Sequence, residues 1–177
     1  MMMVKYNACA KSIFQPQMTD YFRPQERNIL FRRIEGITAE TRSLDTRVGG
    51  HELICHFNNS LREICGLQRA TSTANVVQRT LVKWLVFHVT PWPERTPRTP
   101  QALRAFIGSK PLATFEADHD ELVELLKTFE QKCQEGSLPP HPVFGALSRD
   151  AWGHYMFLHL DYHLTTFGIH GNFHALK

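Results

Sequence analysis

The stretch FEADHDELVELLKTFEQKCQEG, residues 115–136, decides how the rest of the chain is read. Leu122, Leu125, Leu126, Phe129 and Cys133 recur at three- and four-residue intervals, which puts them on one stripe of an α-helix. Acidic side chains crowd its first turns, where the positive end of the helix dipole favours them. Gly136 supplies the residue type that ends a helix most readily.

Working outward, LPPHPVFGAL leads from this helix into RDAWGHYMFLHLDYHLTTF. Ser148 stands where an N-cap belongs, Asp150 falls in the first turn, and Gly168 follows as the stop. Upstream, Gly49-Gly50 punctuates the chain, and HELICHFNNSLREIC then runs about four turns to Gly66. Leu30, Ile34 and Ile37 recur at helical spacing among arginines and glutamates, which predicts an earlier amphipathic helix. Four long helices are therefore expected, near 26–37, 50–66, 115–135 and 148–167. Between the second and third lies NVVQRTLVKWLVFHV, residues 75–89, whose β-branched content leaves helix and strand open while its length favours helix. A loop with four prolines between 91 and 100 follows, and prolines at that density forbid a regular element. Residues 1–24 show no period and read as an irregular N-terminal arm, leaving 25–177 as one all-α four-helix bundle domain.

Composition narrows the function classes. A chain of 177 residues with 42% hydrophobic and 21% charged residues has the make-up of a soluble globular domain. A net charge of +3 is too small for a dedicated nucleic-acid binder, and Arg27, Arg32, Arg33, Arg42 and Arg47 read as a solvated face. The most apolar run, residues 81–89, is short and broken by Lys83 and His88, so no membrane span is expected. That same run is a candidate surface for a homodimer. The N-terminus lacks a continuous apolar signal region. Cysteines 9, 55, 65 and 133 form no CxxC pair, which fits reduced thiols in a cytoplasmic protein.

The candidate chemistry lies in the histidines, five of which fall from His154 onward. On the last helix, Trp152, Met156, His159 and His163 follow a 4, 3, 4 spacing, so the two histidines continue an apolar stripe. Imidazoles four apart on a helix can reach a single ion. On the second helix, Leu53, His56, Ser60 and Ile64 form a 3, 4, 4 stripe that carries a third histidine. His56, His159 and His163 are therefore the candidate metal ligands. His51 and His154 sit five residues from His56 and His159 and point elsewhere, as does Asp161. His51 and His56 are also one residue too far apart for the HExxH of zincins. His170 and His174 enclose Gly171-Asn172 beyond the helix stop and read as tail residues.

HPVFGALSRDAWGHYMFLHLDYHLTTFGI resembles the C-terminal signature of a family of uncharacterised bacterial proteins in the DinB/YfiT-like superfamily. GGHELICHFNNSLREICG resembles the second helix of that family, and the likeness covers about residues 26–170. The resemblance implies an up-and-down four-helix bundle with a metal near one end. It implies ligands at one histidine of the second helix and an HxxxH pair of the fourth, which in this chain are His56, His159 and His163. Family members often carry glutamine four residues before the first ligand, and this chain has Glu52 there. Relatives include thiol-dependent transferases and proposed metal-dependent hydrolases.

Three imidazoles leave a coordination position open, and an open position is the mark of a catalytic site. Such a position acidifies a bound water or a low-molecular-weight thiol cosubstrate. The ligand set suits zinc, nickel, iron or copper. Glu52, one turn before His56, is a candidate base or partner of the ligands. A metal-dependent hydrolase or thiol transferase acting on a small molecule is thus expected. The alternative is a non-catalytic bundle that binds a small molecule or a protein.

Overall fold

Four α-helices make up the described part of the computed structural model, which covers residues 19–44, 48–69, 113–142 and 144–171. They are α1 (Pro24–Glu35), α2 (Gly50–Ile64), α3 (Phe115–Glu135) and α4 (Arg149–Thr166). Among the described residues the only β-pairing is two isolated bridges, Arg42 with Gly49 and His141 with Gly145. The fold is an all-α helical bundle in which α2 lies along α3, α1 lies along α4, and α3 touches α4. The expected helical segment over 75–89, the proline-rich loop, the dimer surface over 81–89 and His174 all lie outside the described residues.

Each helix starts and stops for a local reason. Pro24 occupies the first turn of α1, where its missing N–H costs nothing. The side chain of Ser148 accepts from the Ala151 N–H, and that of Thr114 accepts from the Ala117 N–H. Gly168 takes φ +73, and the Ile169 and Gly168 N–H groups then bond the carbonyls of Leu164 and Thr165. That pair of bonds is the Schellman closure. Helix α1 ends at Glu35 rather than at the expected Ile37, and the Ile37 N–H turns back to the Ile34 carbonyl at 3.0 Å, the tighter i→i−3 bond that closes a last turn. Ile37 leaves the helix but stays in the core at 3% exposure.

The core runs between all four helices. Leu30 and Ile34 of α1 meet Leu53, Ile54, Phe57 and Leu61 of α2, Leu122, Leu126 and Phe129 of α3, and Met156, Leu160 and Leu164 of α4. Each such side chain contributes about 1.5–3 kcal/mol by leaving water. The predicted stripe of α3 is buried as expected, from Leu122 through Cys133.

Two buried features depart from the sequence reading. Tyr21, inside the stretch expected to be an irregular arm, is fully buried. Its N–H donates to the Gly153 carbonyl at 3.0 Å, and its hydroxyl donates to Glu130 at 2.8 Å. A side chain at position 153 would collide with Asp20, so glycine there is what lets the segment dock. Arg33, expected on a solvated face, is buried. Its guanidinium donates to Asp161 Oδ1, Thr165 Oγ1 and the Ile169 carbonyl, tying α1 to the end of α4. A guanidinium can be buried when its donors find this many acceptors. No helix among the described residues is long and apolar enough to cross a membrane.

Candidate metal centre

The stripe of α4 begins as core and ends as a cluster of nitrogen donors. Trp152 and Met156 are buried, while His159 and His163 keep part of their surface accessible. On α2, Leu53 and Ile64 are buried and His56 is again partly accessible. The two helices bring the three imidazoles together, with one ligand atom of each lying within 4.8 Å of the others. Ring centroids stand 4.5 Å apart for His56 and His163, 4.8 Å for His159 and His163, and 5.5 Å for His56 and His159. The Nε2 atoms of His56 and His163 approach to 3.1 Å.

Aromatic side chains hold the rings in place. Tyr155 stacks on His159 at 5.6 Å, Tyr162 meets His163 edge-on at 5.1 Å, and Phe57 lies about equally close to His159 and His163. His159 Nε2 is itself sealed from solvent and has no hydrogen-bond partner among the described residues. A buried polar nitrogen without a partner costs free energy, so this atom is poised for a ligand.

The surroundings keep the cluster uncharged. Desolvation pulls the His56 imidazole down to about 4. Desolvation, with the neighbouring His56 and His141, brings His159 to about 3. Desolvation followed by repulsion from His56 and His159 holds His163 well below the ordinary histidine value. All three rings are therefore neutral near pH 7, which is the form that donates a lone pair to a metal. The group His56, His159 and His163 can hold a metal ion.

The other sequence candidates go elsewhere. Glu52 accepts the Gly49 N–H at 2.7 Å, so its carboxylate caps the start of α2. His154 donates from Nδ1 to the Thr19 carbonyl at 2.8 Å. Asp161 serves Arg33, and His170 is exposed beyond α4.

Sequence reasoning missed a second polar group. His51 was expected only to point away from His56, yet its Nε2 donates to Asp118 Oδ2 at 2.7 Å. Cys55 points its thiol at the same oxygen at 3.6 Å. His51, Cys55 and Asp118 form a second set of side chains able to hold a metal ion. Below them, Asn58 donates to the Asp118 carbonyl, and Arg62 pairs with Glu121. The signal was legible in part: His51, Cys55, Asn58 and Arg62 repeat at 4, 3, 4 on one face of α2. Their partner lies 67 residues from His51, and nothing local announces it.

Among the described residues, fold and site together define an all-α bundle with two groups that could hold a metal ion, three histidines between α2 and α4 and His51, Cys55 and Asp118 between α2 and α3. Residues 60–169 match the family described as "Protein of unknown function (DUF1569)", and the chain belongs to that family. The matched region holds His159 and His163 and begins four residues after His56. No curated protein and no solved structure matches the chain.

Proposed function

We propose that this protein is a metal-dependent enzyme of the DinB/YfiT-like superfamily, a hydrolase or thiol-dependent transferase acting on a small molecule. In this reading His56, His159 and His163 hold one divalent transition metal, zinc, nickel or iron. The observation that carries it is the convergence of three neutral imidazoles from two helices, with His56 and His163 Nε2 3.1 Å apart. Two imidazole nitrogens that each lie about 2.1 Å from one ion stand about 3.0–3.4 Å from each other in octahedral or tetrahedral geometry.

Three neutral ligands leave the full dipositive charge uncompensated in a poorly solvated place, which favours an anion at the remaining position. A bound ion would supply Lewis acidity there, lowering the pKa of a thiol or a water. The chain's own part is to orient the imidazoles through Tyr155, Tyr162 and Phe57 and to keep them unprotonated. Glu52 is engaged at the start of α2, so a proton acceptor for the reaction comes from the substrate or from solvent.

The test is metal analysis of untagged protein, followed by assay against hydrolysable esters and amides and against thiol-plus-electrophile pairs. The expected result is one metal per chain at the three-histidine site, with turnover that disappears when the ion is stripped and returns when it is restored. Protein that titrates with zinc and nickel without saturating at that site would overturn the reading. So would a saturated site with turnover unchanged from stripped protein.

A further inference from the structure

The side chains of His51, Cys55 and Asp118 come from different parts of the bundle and present three different donor types. His51 and Cys55 are four apart on α2, which puts them on one face, and Asp118 sits in the first turn of α3. One atom of each, nitrogen, sulfur and oxygen, lies within 4.8 Å of the other two. The Asp118 carboxylate and the Cys55 thiol are buried, while the His51 ring is 23% exposed and opens the group to solvent on one side. Phe115 packs edge-on against that ring at 5.6 Å, which restrains its orientation.

A structural role would need less than this. A buried carboxylate could be satisfied by backbone amides or by any two donors. The Asp118 carboxylate already has the Ala113 backbone amide, and it gathers an imidazole and a thiol as well, the two side chains that bind borderline metals best, both aimed at one carboxylate oxygen. A thiol is a weak hydrogen-bond donor, so its placement against a buried carboxylate gains little as a hydrogen bond. Small adjustments of the two i,i+4 side chains would open the triangle around an ion with Zn–N and Zn–O bonds of about 2.0–2.2 Å and a Zn–S bond of about 2.3 Å.

We propose that His51, Cys55 and Asp118 form a second metal site that takes zinc or a cation of similar softness and clamps α2 to the first turn of α3. The site differs in chemistry from the three-histidine group, because it supplies one thiolate and one carboxylate. On binding, Cys55 gives its thiol proton to solvent, and the two anionic ligands balance the charge of the ion. Three donors leave a fourth position for water on the side where His51 meets solvent, and the thiolate and carboxylate would neutralise an ion there, whereas three imidazoles would not.

Cobalt(II) titration of metal-stripped full-length protein, kept reduced with a non-thiol reductant, tests the proposal. A thiolate ligand gives cobalt a near-ultraviolet charge-transfer band that imidazole ligands alone do not. The wild type is expected to show that band at one equivalent per chain. The His56→Ala/His159→Ala/His163→Ala variant is expected to keep it. Cys55→Ser, which retains a donor toward Asp118, and His51→Gln, which retains an N–H donor, are expected to keep the fold by circular dichroism. Cys55→Ser is expected to abolish the band, and His51→Gln to weaken cobalt binding at this site at least tenfold. The proposal is overturned if the wild type shows no such band, if the band survives Cys55→Ser, or if His51→Gln binds as the wild type does. Failure of the three-histidine site alone would leave the band in place and remove only the equivalent without it, so the two readings fall separately.

Discussion

His56 on α2 and His163 on α4 place their Nε2 atoms 3.1 Å apart, although 107 residues separate them in the chain. With His159 one turn before His163, they make a donor triangle, one ligand atom of each within 4.8 Å of the others. His163→Ala is expected to lower zinc or nickel affinity at this site by at least a hundredfold, read by titration calorimetry. His170→Ala, at an exposed position beyond α4, is expected to leave it unchanged. Loss of binding in the second variant and not the first would show that the ligands are misassigned.

Acid should destabilise the metal-free protein in a defined window. Desolvation holds His56 and His141 at about 4 and His159 at about 3 in the folded state, against about 6.5 in the unfolded chain. Below pH 6.5 the unfolded chain therefore binds protons that the folded chain refuses, and stability falls as pH falls. Each such proton contributes about 1.4 kcal/mol per pH unit across the window. Denaturant melts from pH 7 to pH 4.5 should show a steady fall in midpoint that is smaller in His141→Phe. A flat profile would mean that these rings are not desolvated.

Gly153→Ala sets helix propensity against packing. Alanine in a helix interior is favoured over glycine by about 0.8–1.0 kcal/mol. The new methyl would meet Asp20 and Phe22, and Asp20 is fixed because it accepts the Phe22 N–H and donates its own N–H to Glu26. Overpacking typically costs about 1–3 kcal/mol. The steric term is expected to win, so thermal denaturation should show a lower midpoint than wild type. A higher midpoint would mean that the segment around Tyr21 does not rest on α4 as described.

Arg33→Met is expected to destabilise the fold by about 2–3 kcal/mol, less than the roughly 3–5 kcal/mol of a fully buried broken pair, because Asp161 retains 33% side-chain exposure and can be rehydrated. Asp161→Asn should cost less than half as much, since Thr165 and the Ile169 carbonyl still accept from the guanidinium. Urea melts of both variants check the order. Equal losses would place the stabilising interaction in the ion pair alone.

The sequence by itself determined the helices and the three-histidine candidate group. Periodicity marked the buried stripe of α3, Ser148 and Gly168 bounded α4, and the i,i+4 spacing of His159 and His163 put two imidazoles on one helix face. These features are local, set by backbone geometry within a few turns, and a linear reading recovers them. Tertiary structure alone decided that Tyr21 docks against Gly153 and that Arg33 is buried, whereas the Glu52 cap on Gly49, three residues away, is local. Tertiary structure also decided that His51, dismissed on grounds of angle, meets Cys55 and Asp118. Angular position on one helix says which side chains cannot share a face, but it says nothing about what the neighbouring helix presents to each face. Partners 67 or more residues apart are chosen by how helices pack, a property of the whole core rather than of any segment.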